Sequence, residues 1–286
     1  MKILLASDLS ARSDRAIDRA FLLARELSAE VRVVHVVDEN LPPELASQHA
    51  NWAKDELERE VASVERPAGT GCAVRVVQGV PRDRILAEAC EWDADLIVLG
   101  IHGPAAPRAD FASTTAGRIL QASAFPVLAV SRPAHAPYRR VVVGVDFSPC
   151  SRAAVRRSAW IAPGADRYLV HGFQVPFSGF LQGPTVNRLW SDYALGRMEE
   201  FVAEEMERLA AETRGAREGA APGKRIVRKA EPGAVLTEEC RRLDADLMVI
   251  GTHGRAGLSL ALLGSVAADL LADPPCDLLV MKAFSF

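Results

Sequence analysis

The chain of 286 residues repeats itself. Offset by 151 positions, residues 79–130 lie over 230–281 without a gap: "EWDADLIVLGIHG" falls on "RLDADLMVIGTHG", and "FPVLAV" falls on "CDLLVM". About fourteen of these fifty-two positions are identical by direct count, clustered where the chain turns. Near the start of each half the match resumes at an offset of 138, with "ILLASDLS" over "VVVGVDFS". A duplication limits the fold more than composition does, because one sequence pattern must satisfy the same architecture twice. Each half has the length of an ordinary domain and can bury its own core. The Pro-bearing segment "SRPAHAPY", 131–138, reads as the linker, which divides the chain into repeats 1–132 and 138–286.

Short apolar runs alternate with amphipathic stretches in both halves. The runs are 3–6, 31–37, 74–77, 95–99 and 126–130, then 141–145, 168–173, 226–227, 246–250 and 277–281. Runs rich in β-branched residues without polar alternation suit strands covered on both faces. The clearest helical pattern is 191–211, with Ser191-Asp192 as its cap and Leu195, Met198, Phe201, Val202, Met206 and Leu209 on one side. Pro81 and Pro232 open equivalent helices, where a missing N–H costs nothing. Strand alternating with helix requires parallel strands and right-handed crossovers. The expected fold is therefore α/β: two doubly wound, mostly parallel, Rossmann-like five-stranded sheets in tandem.

Composition narrows the function classes. A formal net charge of −3, with arginines spread over both halves, gives no electrostatic reason to expect nucleic acid or an anionic membrane as partner. No run approaches the about 20 apolar residues a membrane-spanning helix needs. "MKILLASD" lacks the apolar stretch of a secretory signal. Five scattered cysteines without a C-x-x-C pair read as reduced thiols. A cytoplasmic protein is expected.

The chemistry-bearing stretch is "GTHGRAGLSLALLGSVA", 251–267. It follows the fourth strand of the second half, at the edge where ligands of doubly wound sheets sit. Gly251 and Gly254 are expected to take positive φ and let a ligand approach the backbone. Gly264-Ser265-Val266 then opens a helix whose unpaired N–H groups and dipole favour an anion, with the Ser265 hydroxyl as a further donor. Together these features describe a phosphate cradle. It is neither a Walker A loop, since no Lys follows the last glycine, nor a dinucleotide fingerprint, since it follows the fourth strand rather than the first. In the first half Asp8, Gly100 and Gly103 match, but Ser113-Thr114 replace Gly-Ser. Pro104 and Pro107 stiffen that loop, and Asp110 adds negative charge where phosphates would lie. A degenerate first site with a narrowed approach is the expectation.

The pattern G-x2-G-x9-G-S, with "VVVGVDFS" at the first strand, "DADLMVIGTHGRAG" at the fourth and "PCDLLVM" at the last, resembles the universal stress protein family over nearly all of both halves. The resemblance implies a tandem of two such repeats that binds ATP, accompanied by Mg²⁺. It places Asp146 at the adenosine, Gly172 near the adenine, and Gly251, Gly254, Gly264, Ser265 and Val266 at ribose and phosphates. It also implies a regulatory, stress-response role with at most slow ATP hydrolysis. Pairing of the strands at 126–130 and 277–281 would make an internal pseudo-dimer, and the resemblance leaves room for a homodimer and for an unidentified protein partner. The alternative is a non-catalytic scaffold that binds a partner or an apolar ligand without nucleotide.

Three further features have competing readings. His102 and His253, and nearly His35 and His171, are equivalent, but no Cys or carboxylate stands at ligand spacing beside them, so structural roles outweigh zinc. Cys150 stands four residues after Asp146 and either borders the ligand or is an inert thiol. The aromatic segment 172–193 is a flap, a partner surface or a packed loop.

Overall fold

The computed structural model describes residues 1–64, 71–101, 111–173, 200–209, 211, 223–252 and 264–282. Repeat 1 runs β1 (Lys2–Ala6), α1 (Ala11–Leu27), β2 (Glu30–Val37), α2 (Pro43–Ser63), β3 (Cys72–Gln78), α3 (Pro81–Glu91), β4 (Leu96–Gly100), α4 (Thr115–Ala122) and β5 (Val127–Val130). Repeat 2 runs β6 (Arg140–Gly144), α5 (Pro149–Ile161), β7 (Asp166–Gly172), a helical stretch at 200–209 (α6), β8 (Lys224–Arg228), α7 (Pro232–Arg242), β9 (Leu247–Gly251), α8 (Ser265–Ala272) and β10 (Asp277–Met281). Every apolar run of the sequence falls on a strand, extending beyond it by one residue at most. Pro81 and Pro232 stand at the first turns of α3 and α7. Of the pattern at 191–211, Ser191-Asp192, Leu195 and Met198 lie outside the described residues. Val202, Met206 and Leu209 are buried, whereas Phe201 is exposed.

The strands form one sheet in the order β3-β2-β1-β4-β5-β10-β9-β6-β7-β8. This corrects the expectation of two five-stranded sheets. Within each repeat all pairings are parallel, but β5 and β10 pair antiparallel, with Leu278 opposite Ala129, Leu279 opposite Leu128 and Val280 opposite Val127. The last strand of each repeat would otherwise be an open edge of unpaired N–H and C=O groups, and a symmetric chain closes both edges by pairing them with each other. The two halves thus form an internal pseudo-dimer.

Both faces of the sheet are apolar, and alternate strand residues feed opposite cores. Ile3, Leu5, Val98, Val141, Val143 and Val249 face α1, α2, α5 and α6. Leu4, Ile97, Leu99, Val142, Met248 and Ile250 face α3, α4, α7 and α8. Each core runs through both repeats without a break. The duplication persists in backbone strain: Leu9 and Phe147 have φ of 57° and 63°, and Asp93 and Asp244 have 57° and 47°. Non-glycine residues rarely adopt positive φ, so its recurrence at two equivalent pairs shows that the turns are built alike.

The linker does not hang free. Asp277, at the start of β10, accepts the backbone amides of Ser131 (2.9 Å) and Arg132 (3.2 Å) and the Tyr138 hydroxyl (2.8 Å). The Arg19 side chain of α1 reaches the same carboxylate at 3.2 Å and donates to the Ala136 carbonyl at 2.9 Å.

Candidate functional site

The strand order reverses between β1 and β4 in repeat 1, and between β6 and β9 in repeat 2, since the first strand of each repeat pairs with both its second and its fourth. A crevice opens at such a switch point, beyond the carboxyl ends of the strands. In repeat 2 it is a cavity of about 260 Å³ whose lining includes Asp146, Gly172, Gly251, Gly264, Ser265 and Val266. Six of the seven residues singled out in the sequence therefore meet at one place; Gly254 lies outside the described residues. Val145, Ser151, Leu236, Thr252 and Ala267 are among the other wall residues, and the sequence did not single them out as ligand contacts. Only their positions beside the marked residues could have pointed to them.

The glycines have a different physical reason from the one expected. Among the described residues the only glycine with positive φ is Gly79. Gly251 is a glycine because α5 starts on top of it: a Cβ there would lie 2.6 Å from the Cβ of Cys150 and 3.1 Å from the amide nitrogen of Ser151. Gly100 is under the same constraint in repeat 1, where a Cβ would lie 2.2 Å from the Arg12 carbonyl oxygen. At Gly264 a Cβ would come within 2.7 Å of the Thr252 carbonyl oxygen, which accepts the Gly264 amide at 2.8 Å. That bond closes the loop between β9 and α8 at its base. Side chains are thus absent so that the backbone can pack against itself, and the helix start is thereby fixed beside the strand end.

Gly264 is the N-cap of α8 and offers no side-chain cap. The first backbone bond of the helix is Ala268 to the Gly264 carbonyl. Among the described residues the amides of Ser265, Val266 and Ala267 have no acceptor, which leaves three donors at the positive end of a helix dipole. In repeat 1 the helix start is shifted by one residue. Thr114, equivalent to Ser265, is itself the cap: its Oγ1 accepts the Gly117 amide at 3.0 Å and donates to the Phe111 carbonyl at 2.7 Å. Ser113 lies in the preceding 3₁₀ turn, Phe111–Ser113. One helix end is open and the other is partly closed by its own side chain.

Asp146 accepts the Ser148 amide at 3.0 Å. Asp8 accepts the Ser10 amide and hydroxyl and the Ser13 hydroxyl, and pairs with Arg12 at 3.0 Å. Desolvation pushes the Asp8 carboxyl up, but the two hydroxyls and the Arg12 charge together hold it below the ordinary carboxylate range. Arg12 was not marked in the sequence, although an Asp and an Arg four apart at a helix start is a recognisable ion-pair spacing. The corresponding residue in repeat 2 is Cys150, which is buried, packs its Cβ against Gly251 and is not among the residues lining the cavity. The repeat 1 cavity, bounded by Asp8, Arg12, His35, Gly100 and Thr114 among others, is about 230 Å³, a little smaller than that of repeat 2. The repeats differ in donors and acceptors more than in space.

His35 and His171 brace the sheet. Their Nδ1 atoms lie 2.9 Å from the Ser7 carbonyl and 2.6 Å from the Val145 carbonyl, tying the end of each second strand to the first. Burial pushes the His35 imidazole down, so it stays neutral and donates to Ser7. No group of three or more metal-ligating side chains occurs among the described residues. His102, His253, Pro104, Pro107 and Asp110 lie outside them. So does the aromatic segment beyond Phe173, which is buried and stacks on His171 with ring centroids 5.9 Å apart. No helix among the described residues is long and apolar enough to cross a membrane.

A doubly wound α/β unit occurring twice in one chain, with a crevice at each switch point between a glycine-ended strand and a helix N-terminus, defines a tandem Rossmann-like protein. The sequence pattern of the universal stress protein family matches residues 1–131 and again 137–282. The chain belongs to the universal stress protein family, as a tandem of two repeats. A universal stress protein of Mycolicibacterium smegmatis is 25% identical over 306 residues, covering 98% of this chain and 96% of its own. One from Methanocaldococcus jannaschii is 30% identical over 140 residues, which is 46% of this chain and 82% of the relative. The crystal structure of a universal stress protein from Archaeoglobus fulgidus shares the fold, with a TM-score of 0.68 at 17% identity over 99% of this chain and 98% of its own.

Proposed function

We propose that this protein is a regulatory ATP-binding protein whose nucleotide is held mainly by repeat 2. The observation that carries the reading is the bare N-terminus of α8. The amides of Ser265, Val266 and Ala267 converge on the cavity that Asp146 and Gly172 also line, and an anion there gains from both hydrogen bonds and dipole. The triphosphate would lie on these amides and the Ser265 hydroxyl, with the adenosine toward Asp146 and Gly172. Mg²⁺ typically takes one or two carboxylates and completes its shell with phosphate oxygens and water. Asp146 is the one carboxylate among the described cavity walls, so the ion would arrive with the nucleotide. Repeat 1 offers a capped helix and an aspartate already engaged with Arg12, which disfavours the same ligand there. No described set of side chains supplies both a general base and a cationic clamp for the γ-phosphate, so the reading is regulation and not turnover. A cytoplasmic setting accords with the scattered thiols.

Calorimetric titration with Mg-ATP tests the reading. One tight site per chain is expected, lost when the start of α8 is altered. Two sites of equal affinity would overturn the preference for repeat 2, and no heat and no competition by ADP would overturn nucleotide binding altogether.

A further inference from the structure

Cys240, in the last turn of α7, and Cys276, just before β10, bring their Sγ atoms to 3.2 Å. They are 36 residues apart, and both are buried, at 1% and 0% exposure. The pair belongs to repeat 2 alone, since the equivalent positions in repeat 1 are Ala89 and Phe125. Cys276 is followed by Asp277, the carboxylate on which Arg19, Ser131, Arg132 and Tyr138 converge. The segment between the two cysteines holds β9, Gly251, Gly264 and α8.

We propose that Cys240 and Cys276 form a reversible thiol–disulfide couple which, when oxidised by a peroxide, staples shut the segment that carries the crevice wall of repeat 2. The inference is independent of whether that crevice takes a nucleotide. The roles of the two sulfurs follow from their surroundings. The hydrogen bond from the Cys276 thiol holds Cys240 below the ordinary thiol range, against the cost of burial and with help from the Arg132 charge. Cys276, as the buried donor of that bond, is pushed well above it. Cys240 is therefore the attacking sulfur and Cys276 the resolving one.

The Cys240 thiolate attacks one oxygen of hydrogen peroxide, and the O–O bond breaks. The departing hydroxide takes up the proton the thiol released, giving water and a sulfenic acid on Cys240. The Cys276 sulfur then attacks the Cys240 sulfur and the S–O bond breaks. The hydroxide leaves with the Cys276 proton as a second water. Two thiols and one peroxide thus yield one disulfide and two waters. Burial makes the first step slow and dependent on local opening, but once Cys240 is oxidised its partner is already in contact.

The test uses the full chain, treated with hydrogen peroxide, alkylated under denaturing conditions and mapped by mass spectrometry. The expected product is a Cys240–Cys276 crosslink that dithiothreitol reverses, formed whatever the state of the exposed Cys90. Oxidation is also expected to raise the thermal midpoint by roughly 6 °C through closure of a long loop. Cys240→Ala, which restores the residue of repeat 1, and Cys276→Ala should each abolish both changes. Two free thiols after Cys90 has oxidised, over-oxidation of Cys240 without a crosslink, or an equal rise in midpoint in either variant would each overturn the proposal.

Discussion

Arg19 and Asp277 form an ion pair across 258 residues of sequence, with side chains only 6% and 1% exposed. Arg19 belongs to the first helix of one repeat and Asp277 to the last strand of the other. The guanidinium also stacks on Tyr138 at 3.9 Å, and Tyr138 donates to the same carboxylate. The repeats are therefore joined by a polar knot in which each charge is compensated, in addition to the β5–β10 ladder. Breaking a buried pair by removing one partner leaves an uncompensated charge in a poorly solvated place.

Asp277→Ala should destabilise the whole chain by about 3–5 kcal/mol, because it strands Arg19 and the Ser131 and Arg132 amides together. Urea unfolding is the measurement. Arg19→Met combined with Asp277→Leu should lose less than Asp277→Ala alone. A single variant within 1 kcal/mol (about fivefold) of the parent would show that the knot adds little.

Burial, reinforced by the Asp277 charge, pushes the Tyr138 hydroxyl well above its ordinary 10.0. In the unfolded chain it ionises near that ordinary value, so above it the unfolded state binds fewer protons and stability falls as pH rises. Below pH 10 this contribution is complete. Thermal midpoints measured from pH 8 upward should decline less steeply in Tyr138→Phe, at a fixed cost of about 1 kcal/mol for the lost hydrogen bond at lower pH. Identical slopes would rule out Tyr138 as the source.

Gly264→Val forces a side chain against the Thr252 carbonyl, so the base of the loop must move and the first amides of α8 lose their aim. ATP affinity should fall at least tenfold, about 1.4 kcal/mol, in calorimetry. Circular dichroism should retain its far-ultraviolet signal, since the helix itself can form without the glycine. Unchanged affinity would remove the start of α8 from the binding account.

Thr114→Ala deletes the cap of α4 and should cost about 1 kcal/mol of stability. It should leave the affinity and stoichiometry of ATP binding as they were, because the proposed site lies in repeat 2. A second site appearing in this variant would show that the Thr114 hydroxyl alone closes repeat 1.

The sequence alone determined the duplication, the ten strands, the proline-led helices and six of the residues that line the repeat 2 cavity. All of these are local: a strand or helix face is written in periodicity, and a glycine or proline constrains the backbone where it stands. Tertiary structure alone decided the rest. That the pairing of β5 with β10, which the family resemblance had suggested, is antiparallel and merges two sheets into one, that Arg19 finds Asp277, and that two cysteines read as scattered thiols touch, depends on how crossovers bring distant segments together. Even the glycines, visible from the start, acquired their reason only in the fold. Gly251 and Gly264 lack side chains because Cys150 and the Thr252 carbonyl occupy that space, and no local pattern records what a neighbouring segment will fill.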